Sequence, residues 1–191
     1  FLPATIVMGV MSLRVSGPLS MRFGPKASLV PSLAILAAGM LLFARTPVDG
    51  TFVTDILPPM VLIGLAAGLA FPALMTLAMS GVAPEDSGLA SGLVNTSVQV
   101  GGAIGLAVLA TLATERTGTL QAAGEPAAAA LNAGFHLAYL IGAVLVAVAA
   151  VVAVAVLRNP GAAPEAEAAP EPAERRPAPR PTAKPAWSEA A

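Results

Sequence analysis

Apolar residues run along this chain in long blocks, separated by short polar connections. A helix rising 1.5 Å per residue needs about 18 apolar residues to cross roughly 30 Å of hydrocarbon. Five blocks reach that length: residues 1–19, 27–44, 56–80, 88–113 and 134–157. The predicted fold class is therefore all-α, a polytopic membrane protein with five transmembrane helices. Within these blocks Arg14 alone is charged, and it lies near the end of the first. Pro3, Pro58 and Pro59 fall at helix starts, where a missing N–H costs nothing because that donor is unpaired anyway. Pro72 lies mid-span, where its ring must displace the carbonyl of Gly68, which predicts a kink near Gly68 to Pro72.

The connections are short, except that residues 114–133 read as a longer, turn-rich loop. Residues 158–191 are rich in Pro and Ala with mixed charge, a composition that does not recover its ordering entropy by burial, and they read as a disordered tail. With 56% hydrophobic and 11% charged residues, the chain has more apolar surface than a soluble core buries. The net charge of -1 and the lack of a basic patch argue against nucleic-acid binding. No cysteine and a single histidine leave no disulfide framework and no metal site, and no cofactor is expected. The chain opens on Phe1 with no signal-peptide pattern, and its start reads as a truncation. Basic residues near span ends stay cytoplasmic. Arg14, Arg22 and Lys26 lie four crossings from Arg158, so both regions share one side and the tail is expected to be cytoplasmic.

The stretch Gly17 to Leu29, GPLSMRFGPKASL, resembles the signature loop of the major facilitator superfamily between the second and third helices of each six-helix half. Gly17, Leu19, Arg22, Gly24, Lys26 and Leu29 match that pattern in order. Met21 stands where the family often has aspartate and Pro25 where it often has a basic residue, a degeneracy typical of the second half. The same residues also read as a plain basic turn at a cytoplasmic face. A second phrase, GLASGLVNTSVQVGGAIGLAVL from Gly88 to Leu109, is similar to the penultimate helices of the fourteen-helix drug/proton antiporter branch. The resemblance covers residues 1–157 and implies the last five helices of a facilitator C-terminal half. It further implies a partner in the missing N-terminal part of the same transporter, and proton-coupled efflux of drugs or other small molecules by alternating access. The implied location is the cell membrane, plasma or inner, with Arg22 and Lys26 in a cytoplasmic gating loop.

In facilitator halves every third helix lies outside the cavity, so the second and fifth spans should face lipid, and both are nearly free of polar groups. Polar side chains gather in the fourth. At 100° per residue, Gly88, Ser91, Asn95, Gln99 and Gly102 share an arc of about 80°. Two readings of that stripe stand side by side: hydrogen bonds between helices, or a substrate cavity formed by Ser91, Asn95 and Gln99. The pairs Gly64/Gly68 and Gly101/Gly105 have the spacing that lets helix backbones approach closely. No Asp or Glu lies inside any span, so a proton-coupling acid is expected upstream. An enzyme is not expected. Ser91 and His136 begin consecutive antiparallel spans, about 30 Å apart by helix rise, where a nucleophile and its base need contact. A stand-alone five-span scaffold or accessory subunit is the alternative to a transporter.

Overall fold

The computed structural model describes residues 2–157; Phe1 and the segment 158–191 read above as a disordered tail lie outside them. The described residues form five long apolar helices: α1 Leu2–Phe23, α2 Pro25–Phe43, α3 Phe52–Met79, α4 Pro84–Ala122 and α5 Ala127–Val156. An apolar segment in lipid finds no water for its peptide groups, so it satisfies them internally by winding into helix.

The turns are minimal and set by residues with special backbone freedom. Gly24 adopts φ 84° and ψ 154°, the sole non-helical residue between α1 and α2, and Pro25 then opens α2 with a ready-made helical φ. Gly81 follows α3 and Gly124 follows α4, both at positive φ. Before α3, the Thr51 N–H donates to Asp55 Oδ2 at 2.8 Å, and the Thr54 hydroxyl donates to the same oxygen at 2.7 Å. That carboxylate satisfies a donor that the helix start leaves open.

The expected cytoplasmic signature loop is not a loop. Gly17, Leu19 and Arg22 lie within α1, and Lys26 lies in the first turn of α2. The reason is a π-helical turn, Met11–Val15, in which the Ser16 N–H donates to the Met11 carbonyl. Pro18 follows it closely, and its ring crowds the carbonyl four residues back, that of Arg14. A widened turn at Arg14 absorbs the proline without ending the helix. Nor is 114–133 a long loop: α4 continues to Ala122 and α5 begins at Ala127. At 39 residues, α4 is about 58 Å long by helix rise, so its polar ends project beyond the hydrocarbon while its backbone stays helical. α3 stays helical through Pro72, and Thr76 Oγ1 donates to the Pro72 carbonyl at 2.9 Å. Pro31 likewise lies inside α2 without ending it.

Helix packing follows a simple neighbour order. α3 packs on α1 and α2, α2 packs on α5, and α5 packs on α4, while the direct contact between α3 and α4 is slight. α3 is the most buried helix. Small residues make that possible: Gly64, Ala66, Gly68, Ala70 and Ala73 are all buried. Leu29, Ala70, Ala73, Leu77 and Ala153 form one cluster joining the start of α2 to the ends of α3 and α5. Outward, Leu41 of α2 joins Leu140, Ile141, Val144 and Leu145 of α5 in one apolar surface fit for lipid chains.

Candidate functional site

α4 stands at one end of the neighbour order, and none of the residues from Ser87 to Ala122 is buried. Its polar stripe is therefore left unburied among the described residues. Ser91 and Asn95 line a cleft of about 300 Å³ together with Gly92, Val94 and Val98 of α4 and with Phe71 and Met75 of α3. Gln99 is one turn further along the same face, outside that cleft.

The hydrogen bonding of α4 separates its polar residues into two kinds. Thr96 Oγ1 donates to the Gly92 carbonyl and Ser97 Oγ to the Leu93 carbonyl, each at 2.8 Å. Such hydroxyls satisfy themselves on their own helix. A carboxamide carries two donors and an acceptor beyond the reach of that device. Asn95 and Gln99 are exposed, and neither has a hydrogen-bond partner among the described residues. In hydrocarbon such groups need water, ligand or another helix. The stripe thus offers amide chemistry over an apolar floor of Phe71 and Met75, a surface suited to a lipophilic molecule with a few polar groups.

The residues of the basic stretch do not act together. Lys26 Nζ donates to the Val154 carbonyl at 2.7 Å and to the Leu157 carbonyl at 2.6 Å, at the end of α5. Arg22 is exposed, with its guanidinium 5.5 Å from the ring centre of its neighbour Phe23. Gly17 meets nothing within 4 Å among the described residues, and Leu19 is half-buried. The two glycine pairs also differ. A Cβ on Gly64 would run into the backbone of Ala4, and one on Gly68 would lie 2.5 Å from the Met8 carbonyl oxygen. Gly101 and Gly105 meet nothing within 4 Å among the described residues, so the close packing expected for them is absent there.

A family profile for the Major Facilitator Superfamily matches residues 4–190. The chain belongs to that superfamily. Among known facilitators, it is 37% identical over 105 residues to the puromycin resistance protein pur8 of Streptomyces alboniger. It is 38% identical over 103 residues to the cephamycin export protein CmcT of Amycolatopsis lactamdurans. Each match covers 54% of this chain and 21% of the relative, so the chain aligns with about a fifth of those proteins. No solved structure matches it significantly. As a facilitator with five apolar helices, it is part of a multi-pass membrane protein.

Sequence reasoning did not find the contacts that join α2 to α5. Asn132 Nδ2 and His136 Nε2 both approach the Thr46 carbonyl, at 3.0 and 2.8 Å. Phe43 stacks on Tyr139 with ring centres 5.0 Å apart. The available signal was weak: two polar residues in the first turns of an apolar span, which reads equally well as an interfacial helix end.

Proposed function

We propose that this chain is the C-terminal part of an exporter that removes antibiotic-like small molecules from the cell by alternating access. The observation that carries this reading is the pair of unpartnered carboxamides, Asn95 and Gln99, on an unburied face of a facilitator helix. The names of the two relatives, one a puromycin resistance protein and one a cephamycin export protein, put antibiotics first among candidate cargoes. In this reading α4 supplies one wall of the translocation path, and Phe71 and Met75 form the apolar floor beside it. The other wall belongs to helices upstream. Proton flow drives transport, and the coupling carboxylate lies upstream as well, since acids of the described helices occur only near their ends: Asp55, Glu85, Asp86 and Glu115. The plasma membrane is the site of action, with the Arg14 to Lys26 end of the helices in the cytoplasm, as the distribution of basic residues favours.

The test is efflux by the full-length transporter in cells challenged with a panel that includes an aminonucleoside, a β-lactam and lipophilic cationic dyes. Asn95→Ala and Gln99→Ala, expressed at the native level, are expected to change the order of preference among cargoes. An unchanged profile would remove the cavity assignment. Failure of the native protein to export any member of the panel would remove the efflux reading itself.

A further inference from the structure

The last carbonyls of a membrane helix have no partner on their own helix, and at a bundle end they must find donors elsewhere. In this fold α2 and α5 solve the problem for each other. Lys26, in the first turn of α2, donates to the Val154 and Leu157 carbonyls at the end of α5, across 128 and 131 residues of chain. The ammonium also stands where the helix dipole is negative, which adds to the attraction. At the opposite end the roles reverse. Asn132 and His136, in the first turns of α5, hold the Thr46 carbonyl just beyond α2, with the imidazole donating through Nε2. Between the two ends, Phe43 stacks on Tyr139, and Gly142 lies so close to Met40 that a Cβ would be 2.5 Å from the Met40 methyl carbon.

We infer that Lys26 is a positioning residue: together with Asn132 and His136 it clasps α2 to α5 at both ends, and the pair keeps that geometry through the transport cycle. Lys26 is thereby occupied with the end of α5 and does not serve as a free gate charge, a role its place in the signature stretch suggests. Arg22, four residues earlier and exposed, carries no such engagement with another helix among the described residues. The statement about the transport cycle rests on the efflux reading; the clasp itself does not.

Two measurements on the full-length transporter in lipid nanodiscs and proteoliposomes test this. The first is amide hydrogen exchange at residues 153–157. Lys26→Met is expected to speed exchange there by about tenfold, because it removes two charge-assisted bonds from the helix end. Lys26→Arg, which keeps a donor cation, is expected to restore most of the protection. Unchanged exchange in Lys26→Met, or no recovery in Lys26→Arg, would overturn the clasp. The second is a covalent bridge. The chain has no cysteine, so Met40→Cys with Gly142→Cys, in a transporter stripped of other cysteines, accepts a short bifunctional thiosulfonate between α2 and α5 alone. Bridged protein is expected to keep the efflux rate of the unbridged double variant. Loss of efflux on bridging would show that the helices part during transport and would overturn the inference. Absence of efflux in the native protein would instead defeat the efflux reading, leaving hydrogen exchange to decide the clasp.

Discussion

Adding one methyl group to a helical glycine tests the packing of α1 on α3 most directly. A Cβ on Gly64 lands on the Ala4 carbonyl oxygen and lies 3.0 Å from the Ala4 Cα. Both are backbone atoms of a helix, so relief requires α1 to shift as a body. A Cβ on Gly39 instead meets Ile63 Cγ1 at 3.0 Å, Leu62 Cβ at 3.3 Å and the Ile63 nitrogen at 3.4 Å, a crowding that a few tenths of an ångström relieve. Overpacking against unyielding neighbours costs about 1–3 kcal/mol. The alanine returns up to about 1 kcal/mol in helix propensity. The net expectation is a loss of about 1–2 kcal/mol for Gly64→Ala and a change near zero for Gly39→Ala. Gly68→Ala should resemble Gly64→Ala, because its Cβ meets the Met8 carbonyl oxygen at 2.5 Å and Met11 Cβ at 2.9 Å. Together, Gly64→Ala and Gly68→Ala should cost less than their sum, since one displacement of α1 makes room for both methyl groups. Reversible unfolding of the full-length protein in mixed detergent–SDS micelles measures these differences. A Gly64→Ala variant no less stable than Gly39→Ala, or strict additivity of the Gly64 and Gly68 changes, would refute the reasoning.

Gly24→Ala should destabilise by about 1–3 kcal/mol, because φ 84° with ψ 154° is a backbone region that side chains essentially exclude; the midpoint of thermal unfolding measures this. Asn132→Ala and His136→Ala should each cost about 0.5–1.5 kcal/mol by the same assay. Because both donors share the Thr46 carbonyl, the second removal should cost more than the first: it leaves that acceptor without either side-chain donor.

Much of the helical architecture was legible because the signal is local. A block such as 134–157 is apolar from end to end, and its conversion to helix depends on the solvent around it more than on any partner. The helix ends were less legible. Residues 114–122 are polar, and hydropathy reads them as a loop, yet polarity outside the hydrocarbon does not stop a helix that has already nucleated. The basic stretch misled in the same way: Gly17 and Pro18 look like turn residues, and the π-helical turn that carries the helix through them has no hydropathy signature. For the candidate site, the angular arc of Ser91, Asn95 and Gln99 followed from spacing alone. That Thr96 and Ser97 are self-satisfied while the carboxamides are not required the side-chain geometry.

The sequence by itself determined the solvent of this protein, the number of its long apolar helices and its kinship with facilitators. These properties sit in contiguous runs and short motifs. Only the tertiary structure decided which faces meet. Gly64/Gly68 and Gly101/Gly105 have the same spacing, but the first pair lies against a neighbouring backbone and the second meets no neighbour among the described residues. Lys26 belongs to a stretch that reads as a turn, yet its ammonium is engaged at the end of α5, 131 residues away. Periodicity tells which residues share a face, and it is silent on what that face will touch, because the partner is chosen by the packing of the other helices.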